Sequence, residues 1–207
     1  MDFLRTTRAA YDTIAADYAA CFQEELAGKP VERALLRAFA ELVGDGRVVE
    51  VGCGPGNTTA YLNDLGADAF GVDLSPRMVE VARAAHPGLR FEVGSMTALD
   101  VEDGALGGVV AWYSIIHIPD ERLPEVFAEF RRVLRPGGHV LLCFQTGDEH
   151  VVRTEAFGHA ITLEYYWRRP ERVVEMLGQA GLTLRSQTVR EPDEGVEKVP
   201  RAYLFAC

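Results

Sequence analysis

The sequence predicts an α/β fold in which a mostly parallel, doubly wound sheet carries helices on both faces. Between residues 48 and 144, short apolar runs alternate with segments of helical periodicity, as in consecutive βαβ units. Three glycines on alternate positions, Gly52, Gly54 and Gly56, follow the first apolar run, which is typical of a buried strand that turns into a helix. The 207 residues are 48% hydrophobic and 25% charged, which suits one globular domain with a sizeable core.

The first 45 residues precede the first strand and are expected to form two helices. Apolar side chains of the first helix recur at three- and four-residue steps, at Tyr11, Ile14, Ala15, Tyr18 and Phe22. The second helix is expected from Val31 to Leu42, with Pro30 at its first turn and Gly44 after its end.

The central part of the chain is expected to supply five parallel strands joined by right-handed connections. These strands are Val48–Gly52, Ala69–Asp73, Leu89–Val93, Gly108–Tyr113 and His139–Phe144. The helices between them are expected from Asn57 to Leu65, from Ser75 to the residue before Pro87, and from Asp120 to Leu134. Ser75 is a good N-cap and Pro76 suits a first helical turn.

The C-terminal part departs from simple alternation. Ala160–Tyr166 is expected to be a strand or an extended cover segment, and Pro170–Ala180 a helix. Two further strands, Leu182–Arg190 and Ala202–Ala206, are joined by a long polar loop that we expect to be mobile. We interpret the chain as a single domain, residues 1–207, with an N-terminal helical cover (1–45), a core (46–145) and a C-terminal cover (146–207).

Composition argues against several classes of protein. The chain has 31 acidic and 21 basic residues and a net charge of −10, which opposes binding to nucleic acid. No apolar run approaches the roughly 18 residues that cross a bilayer, and the N-terminus lacks a signal-peptide core, so we expect a cytoplasmic protein. The four cysteines contain no CxxC pair, which argues against a zinc knot or a disulfide framework.

The glycine turn narrows the kind of nucleotide ligand. A dinucleotide-binding turn has the form G-x-G-x-x-G/A, but its third small position is occupied here by Asn57, and glycine comes one residue earlier at Gly56. Asp73 closes the second strand, where a carboxylate can accept hydrogen bonds from ribose hydroxyls. A carboxylate at Asp73 suits a dinucleotide as well as any other cofactor that contains a ribose. Asn57, by contrast, disfavours NAD.

Three segments at strand ends resemble the class I S-adenosylmethionine-dependent methyltransferases, in the branch that acts on small molecules. The segments are Glu50–Gly56 (EVGCGPG), Gly71–Ser75 (GVDLS) and Leu134–Gly138 (LRPGG). The opening Tyr11–Tyr18 pattern and the closing strand pair extend the resemblance over nearly the whole chain. It implies a Rossmann-like seven-stranded sheet, mostly parallel with one antiparallel strand near the C-terminus, and an N-terminal helical cover.

The resemblance also implies which residues bind S-adenosylmethionine. They are Tyr11, Tyr18, Glu50, Gly52, Cys53, Gly54, Gly56, Asp73, Leu74, Met78, Ser95, Met96, Trp112 and Tyr113. In the family, the glycine turn holds the methionine part, and the acidic residue at the Glu50 position orders that loop and contacts the ammonium group through water. Asp73 would bind the ribose, while Leu74 and Met96 would flank the adenine. Ser95 stands where the family often has an acidic residue that faces the adenine amine.

Structural roles are alternatives for several of these residues. Glu50 could be a strand-end carboxylate bonded to the backbone, and Asp73 could cap a helix. Met96 is of a type that commonly fills cores, and Tyr11 and Tyr18 could be core residues instead of closing the cleft. Cys53 is small enough to pack under the glycine turn.

The predicted catalytic residue is His117, which follows the fourth strand. Its ordinary pKa of about 6.5 suits proton abstraction near neutral pH, but a histidine here could instead hold a loop. His150, His159 and Glu155 are too irregularly spaced to predict a metal site. Tyr165, Tyr166 and Trp167 form a cluster that would either wall the acceptor pocket or pack beneath the sheet.

The resemblance implies methyl transfer from S-adenosylmethionine to an O, N or C atom of a small-molecule acceptor, with S-adenosylhomocysteine as product. The alternatives are an enzyme of the same fold that uses the cofactor without methylating, such as a cyclase or decarboxylase, an NAD-type oxidoreductase, and a binding module without activity. Besides the acceptor, we expect no nucleic-acid partner and no membrane partner. We expect the protein to be a monomer or a homodimer.

Overall fold

A computed structural model describes residues 3–207. Its strands are β1 Val48–Val51, β2 Ala69–Asp73, β3 Phe91–Val93, β4 Leu106–Trp112, β5 Leu134–Gln145, β6 His150–Ala156, β7 His159–Tyr166, β8 Leu184–Arg190 and β9 Arg201–Ala206. Its α-helices are α1 Phe3–Phe22, α2 Pro30–Val43, α3 Asn57–Asp64, α4 Pro76–Ala85, α5 Leu123–Val133 and α6 Pro170–Gln179. Short 3-10 turns occur at Glu25–Gly28, Ile115–His117 and Asp120–Arg122.

The main sheet has seven strands in the order β3-β2-β1-β4-β5-β9-β8. The pairs among β1 to β5 are parallel, and β9 lies antiparallel between β5 and β8. This confirms the predicted sheet with its one antiparallel strand. The strand order reverses at β1, so that β2 and β4 leave on opposite sides. In open α/β sheets, such a switch point opens a cleft beyond the carboxyl ends of the strands.

The central strands are buried on both faces, which explains why β1 and β4 are nearly continuous apolar runs. One face packs against the apolar stripe of α5: Leu123, Val126, Phe127, Phe130 and Val133. The other face packs against the stripe of α2: Leu36, Phe39, Ala40 and Val43. Each such large side chain contributes about 1.5–3 kcal/mol when fully buried, so these two layers hold the switch point rigid.

Two details differ from the expected elements. β5 starts at Leu134, earlier than predicted, but its register with β4 is broken between that residue and His139, where the regular ladder begins as predicted. A second, two-stranded sheet is formed by β6 and β7. Only β7 was expected, because the side chains of β6 are almost all exposed and the segment has no apolar alternation.

Helix α1 lies across the carboxyl edge of the sheet, in contact with α4 and β7. The carboxylate of Asp12 accepts hydrogen bonds from Ser75 Oγ at 2.7 Å and from Arg77 N at 3.2 Å, where the dipole of α4 favours negative charge. At the far end of α1, Asp17 contacts His159 Nε2 at 2.9 Å. Over residues 3–207, none of the helices has the length and apolarity to cross a membrane.

Candidate active site

A cleft of about 710 Å³ opens beyond the carboxyl ends of β1, β2 and β4, beneath α1. Its wall is formed by Phe3, Leu4, Thr7, Tyr11, Tyr18, Gly52, Gly54, Asp73, Leu74, Met78, Gly94, Ser95, Met96, Trp112, Tyr113, Ser114, His117 and Ile118. A second chamber of about 520 Å³ shares five of these residues and adds Glu25, Glu50, Cys53 and Thr58. The two chambers are joined through the residues that they share.

The glycine turn has the backbone geometry that its sequence predicts. Gly52, Gly54 and Gly56 all have positive φ, at 71°, 51° and 87°, which only glycine adopts readily. A Cβ on Gly52 would lie 2.4 Å from the Cβ of Ser114, and one on Gly56 would lie 2.6 Å from Cζ of Phe91. The turn therefore presents bare backbone to both chambers. Gly56 does not line either chamber, since it packs on Phe91.

Asp73 lies at the end of β2 with its side chain turned back toward the glycine turn. One carboxylate oxygen accepts a hydrogen bond from Gly54 N and the other from Ser75 N, both at 2.8 Å. Burial raises the pKa of Asp73 to about 6. The N-cap of α4 is Ser75, whose Oγ accepts from Met78 N, so Asp73 joins two loops of the cleft instead of capping the helix.

Glu50 is buried beneath the glycine turn and faces the second chamber. Its carboxylate accepts a hydrogen bond from the Thr59 hydroxyl. Burial raises the pKa of Glu50 to about 8, because a charged carboxylate loses its hydration there. The buried acid is therefore largely protonated at neutral pH and ready to ionise beside a cation.

Five further predicted cofactor residues lie near the ends of β1, β2 and β3 and fall into two groups. Leu74, Met78, Ser95 and Met96 line the cleft beyond β2 and β3, and Ser95 Oγ is 2.7 Å from Thr97 Oγ1. Cys53 instead packs under the turn, where a Cβ on Gly71 would lie 2.6 Å from its Sγ, and it touches only the second chamber. Burial raises the pKa of the Cys53 thiol, which disfavours the nucleophilic thiolate form.

The end of β4 supplies the wall between the two chambers. Trp112 and Tyr113 line both, and Tyr113 has a φ of 54°, a strained value for a non-glycine residue that often marks functional sites. The next residue, Ser114, is 7% exposed, and its Oγ has no hydrogen-bond partner among residues 3–207. A buried hydroxyl without a partner costs free energy, so Ser114 Oγ is suited to a ligand.

His117 lies on the 3-10 turn after β4, where it joins the core to α1 and β7. Its Nδ1 is 2.8 Å from the carbonyl oxygen of Glu164, and its Nε2 is 2.7 Å from the hydroxyl of Tyr11. Because a carbonyl only accepts, Nδ1 carries the proton and Nε2 accepts from Tyr11. Burial lowers the pKa of His117 to about 4, so the ring is neutral.

The loop that carries His117 is held by Arg168, which sequence reasoning did not single out. Arg168 is 3% exposed, donates to the carbonyl oxygens of Ile115 and Ile118, and pairs with Asp120 at 2.6 Å. A single arginine gives no pattern in a sequence. Only the fold shows that its partners are backbone oxygens.

Replacing Arg168 by lysine is expected to lower the free energy of unfolding by about 2 kcal/mol, because buried carbonyl oxygens lose their donors. Arg172→Lys is the matched control: Arg172 pairs with the same Asp120 at 2.7 Å but is exposed, so its loss should cost almost nothing. Urea unfolding of both variants measures the difference. Equal stabilities would show that Arg168 does not hold the loop.

His150, His159 and the aromatic cluster of residues 165–167 do not line the cleft. His150 Nε2 contacts Glu164 Oε2 at 2.7 Å and stacks on Tyr166, while His159 pairs with Asp17. Within the described part of the chain, no three His, Cys, Asp or Glu residues are placed to hold a metal ion. Tyr165 packs on the His117 ring at 4.8 Å, and none of residues 165–167 lines the cleft.

The sequence of this chain is similar to those of known methyltransferases. Residues 48–138 match the family described as a methyltransferase domain. An uncharacterised methyltransferase of Mycobacterium tuberculosis is 34% identical over 118 residues, which cover 56% of this chain and 46% of that protein. The trans-aconitate 2-methyltransferase of Variovorax paradoxus is 33% identical over 128 residues, 60% of this chain and 47% of that enzyme. The chain spans about half the length of these curated relatives.

A solved structure extends the likeness over the whole fold. The DhpI–SAH complex superimposes with a TM-score of 0.76 at 24% identity, covering 99% of this chain and 96% of that chain. At this identity, the likeness concerns the fold, including the helical cover and the closing strand pair.

Proposed function

We propose that the chain, whose residues 48–138 match a methyltransferase domain, is a class I S-adenosylmethionine-dependent methyltransferase and transfers the methyl group of S-adenosylmethionine to an O, N or C atom of a small-molecule acceptor. One observation carries the proposal: a single cleft wall brings together the bare backbone of the glycine turn, the Asp73 carboxylate and the unpartnered Ser114 hydroxyl. These groups come from three different strand ends.

The residues of the two chambers fit S-adenosylmethionine by their chemistry. Asp73 offers acceptors for ribose hydroxyls, and Leu74 and Met96 offer apolar surface for a purine ring. The second chamber contains two carboxyl groups, Glu25 and Glu50, which suit the ammonium group of a methionine. Ser114 Oγ, which lines the cleft and has no partner in the described chain, would gain one from a bound ligand.

When bound, S-adenosylmethionine supplies a methyl group that is already activated by its sulfonium. The protein's own task is therefore to orient the acceptor and exclude water. The ring of aromatic side chains, Tyr11, Tyr18, Trp112 and Tyr113, surrounds the cleft. Such faces favour a cation. We assign His117 as the residue that receives the proton when the methylated atom of the acceptor releases one.

The proposal is tested by ligand binding and by product analysis. S-adenosylmethionine at about 100 times its dissociation constant should stabilise the protein by about 2.7 kcal/mol, whereas NAD should not. Incubation with methyl-labelled S-adenosylmethionine and a panel of phenols, acids and amines should give labelled acceptor and S-adenosylhomocysteine in equal amounts. Binding without any labelled acceptor would favour a non-methylating use of the cofactor.

Asp73→Ala is expected to weaken S-adenosylmethionine binding about 100-fold, since two hydrogen bonds to a carboxylate are worth about 3 kcal/mol. The variant should also lose stability, because Gly54 N and Ser75 N lose their acceptors. Ser75→Ala is the control: it removes the cap of α4 and loosens the same loop but keeps the carboxylate. Calorimetric titration of both separates the two effects, and unchanged affinity in Asp73→Ala would contradict the site.

A further inference from the structure

The hydrogen bonds around His117 form a chain with a fixed direction. His117 Nδ1–H donates to the Glu164 carbonyl, so Nε2 accepts and the Tyr11 hydroxyl must donate. Both ring nitrogens are thus occupied by protein groups. The Tyr11 oxygen, which has given its proton to this chain of bonds, also interacts with the Tyr165 hydroxyl, and its second lone pair can accept a hydrogen bond in the cleft.

Tyr11 and His117 both line the cleft, and the Tyr11 hydroxyl occupies Nε2, the ring nitrogen of His117 that could accept a proton. Tyr11 reaches the cleft from α1, a different part of the fold from the 3-10 turn that holds His117. α1 is fixed by the Asp12 contacts at the N-terminus of α4. The tyrosine oxygen is consequently held in a defined position by two independent attachments.

The charges of the cleft restrict the acceptor further. Of the described side chains that line it, Asp73 alone carries a formal charge, and no lysine or arginine is among them. A carboxylate or phosphate acceptor would therefore pair with no lysine or arginine among these lining side chains, and burial of a charge without a side-chain partner is costly. The rest of the lining is largely aromatic and aliphatic, as in the case of Phe3, Trp112 and Ile118.

We propose that the acceptor is an uncharged hydroxyl compound with an apolar body, and that its hydroxyl donates to Tyr11 Oη, with His117 as the final site of its proton. This inference rests on the proposed methyl transfer and names its acceptor class. Tyr11 is then a catalytic residue that touches the acceptor, and His117 receives the proton through it.

The proton transfer balances without a further reactant. The bond between acceptor oxygen and methyl carbon forms as the bond between methyl carbon and sulfur breaks. The hydroxyl proton moves to Tyr11 Oη while the phenol proton of Tyr11 moves to His117 Nε2. Tyr11 ends neutral, and the imidazolium still donates to the Glu164 carbonyl. The positive charge lost from sulfur appears on the imidazolium, so the net charge of the buried site does not change.

The test compares three probes that differ only in one substituent: 2-naphthol, 2-methoxynaphthalene and 2-naphthoate. Calorimetric titrations are made with the protein alone and with S-adenosylhomocysteine. The naphthol should bind roughly 5- to 10-fold tighter than the methoxy compound, the effect of one neutral hydrogen bond of about 1 kcal/mol, and naphthoate should bind weakest. Tighter binding of naphthoate, equal affinity of naphthol and its methyl ether, or no binding of naphthol would overturn the inference.

The Tyr11→Phe variant tests whether the tighter binding of naphthol depends on the Tyr11 hydroxyl, because it keeps the ring and removes that hydroxyl. In this variant, naphthol and methoxynaphthalene should bind equally, whereas Tyr18→Phe, the same change at another tyrosine of the cleft, should keep the preference. A naphthol preference that survives in Tyr11→Phe would show that Tyr11 only ties α1 to the core. The titrations with the protein alone test the acceptor site without any cofactor. The proposed function is tested separately, because it fails if neither S-adenosylmethionine nor S-adenosylhomocysteine binds.

With an acceptor found in the labelled-methyl panel, Tyr11→Phe should lower kcat about 100-fold, within the range for general acid–base groups, at unchanged affinity for S-adenosylmethionine. A structural tie would instead lower the melting temperature and leave kcat of the folded fraction intact.

Discussion

Gly52→Ala is expected to lower the free energy of unfolding by about 2–5 kcal/mol and to abolish measurable S-adenosylmethionine binding. Two costs add at this position. The φ of 71° costs a residue with a Cβ about 1–2 kcal/mol. The new Cβ would also lie 2.4 Å from the Cβ of Ser114, which forces the backbone apart at a cost of about 1–3 kcal/mol.

Gly66→Ala separates these two costs. Gly66 follows α3 with a φ of 92°, and a Cβ there has open space around it, so only the conformational cost applies. In chemical denaturation, Gly66→Ala should have a clearly larger free energy of unfolding than Gly52→Ala. Gly66→Ala should also still bind S-adenosylmethionine. Adding Ser114→Gly to Gly52→Ala should recover the steric part alone. Equal stabilities of the two single variants would show that close packing at the turn is unimportant.

Glu50→Gln is expected to stabilise the protein by about 3 kcal/mol at pH 7–8 while weakening cofactor binding about tenfold. The pKa of Glu50 is raised to about 8 from an ordinary value of about 4.3. Below about pH 4.3 the acid is protonated whether folded or unfolded. As the pH rises toward 8, only the unfolded chain releases the proton, so this stability is progressively lost, at about 1.4 kcal/mol per pH unit.

The variant removes this pH dependence, because an amide does not titrate. The difference in unfolding free energy between wild type and Glu50→Gln should therefore grow from pH 5 to pH 8, and Glu41→Gln, on the exposed face of α2, should show no such trend. Cofactor binding should release a proton in the wild type, as the ammonium group draws Glu50 into its charged form, and none in the variant. A difference independent of pH would contradict a neutral buried Glu50.

Local patterns were sufficient for most of the sheet and for the backbone of the glycine turn. β1, β2 and the glycine turn are specified by residues close in sequence: a buried apolar run, three positions that need positive φ, and a polar residue at a strand end. The same holds for the capping of α4 by Ser75. These features were predicted because each one satisfies its own backbone requirements locally.

Contacts between distant segments were beyond such patterns. β6 is a strand only because β7 pairs with it, since its own side chains are mostly exposed. Tyr11 and His117 are 106 residues apart, so their bond required the docking of α1. The bond between Asp73 and Gly54 N, 19 residues apart, also depends on the folded turn, and with the bond to Ser75 N it ties the site to the stability of its loops.

Arg168 also determines which end of the β6–β7 hairpin can change in length during evolution. Arg168 fastens the foot of the β6–β7 hairpin to the backbone beside His117, whereas the tip, Phe157–Gly158, is a two-residue turn with both φ values positive. Exposed turns of this kind tolerate insertions. The tip meets α1 through the Phe157 and Tyr18 rings, 6.4 Å apart. Lengthening or shortening the hairpin there would reshape the mouth of the cleft beside Tyr18 and change which molecules fit it over evolutionary time, while Tyr11 and His117 keep their positions.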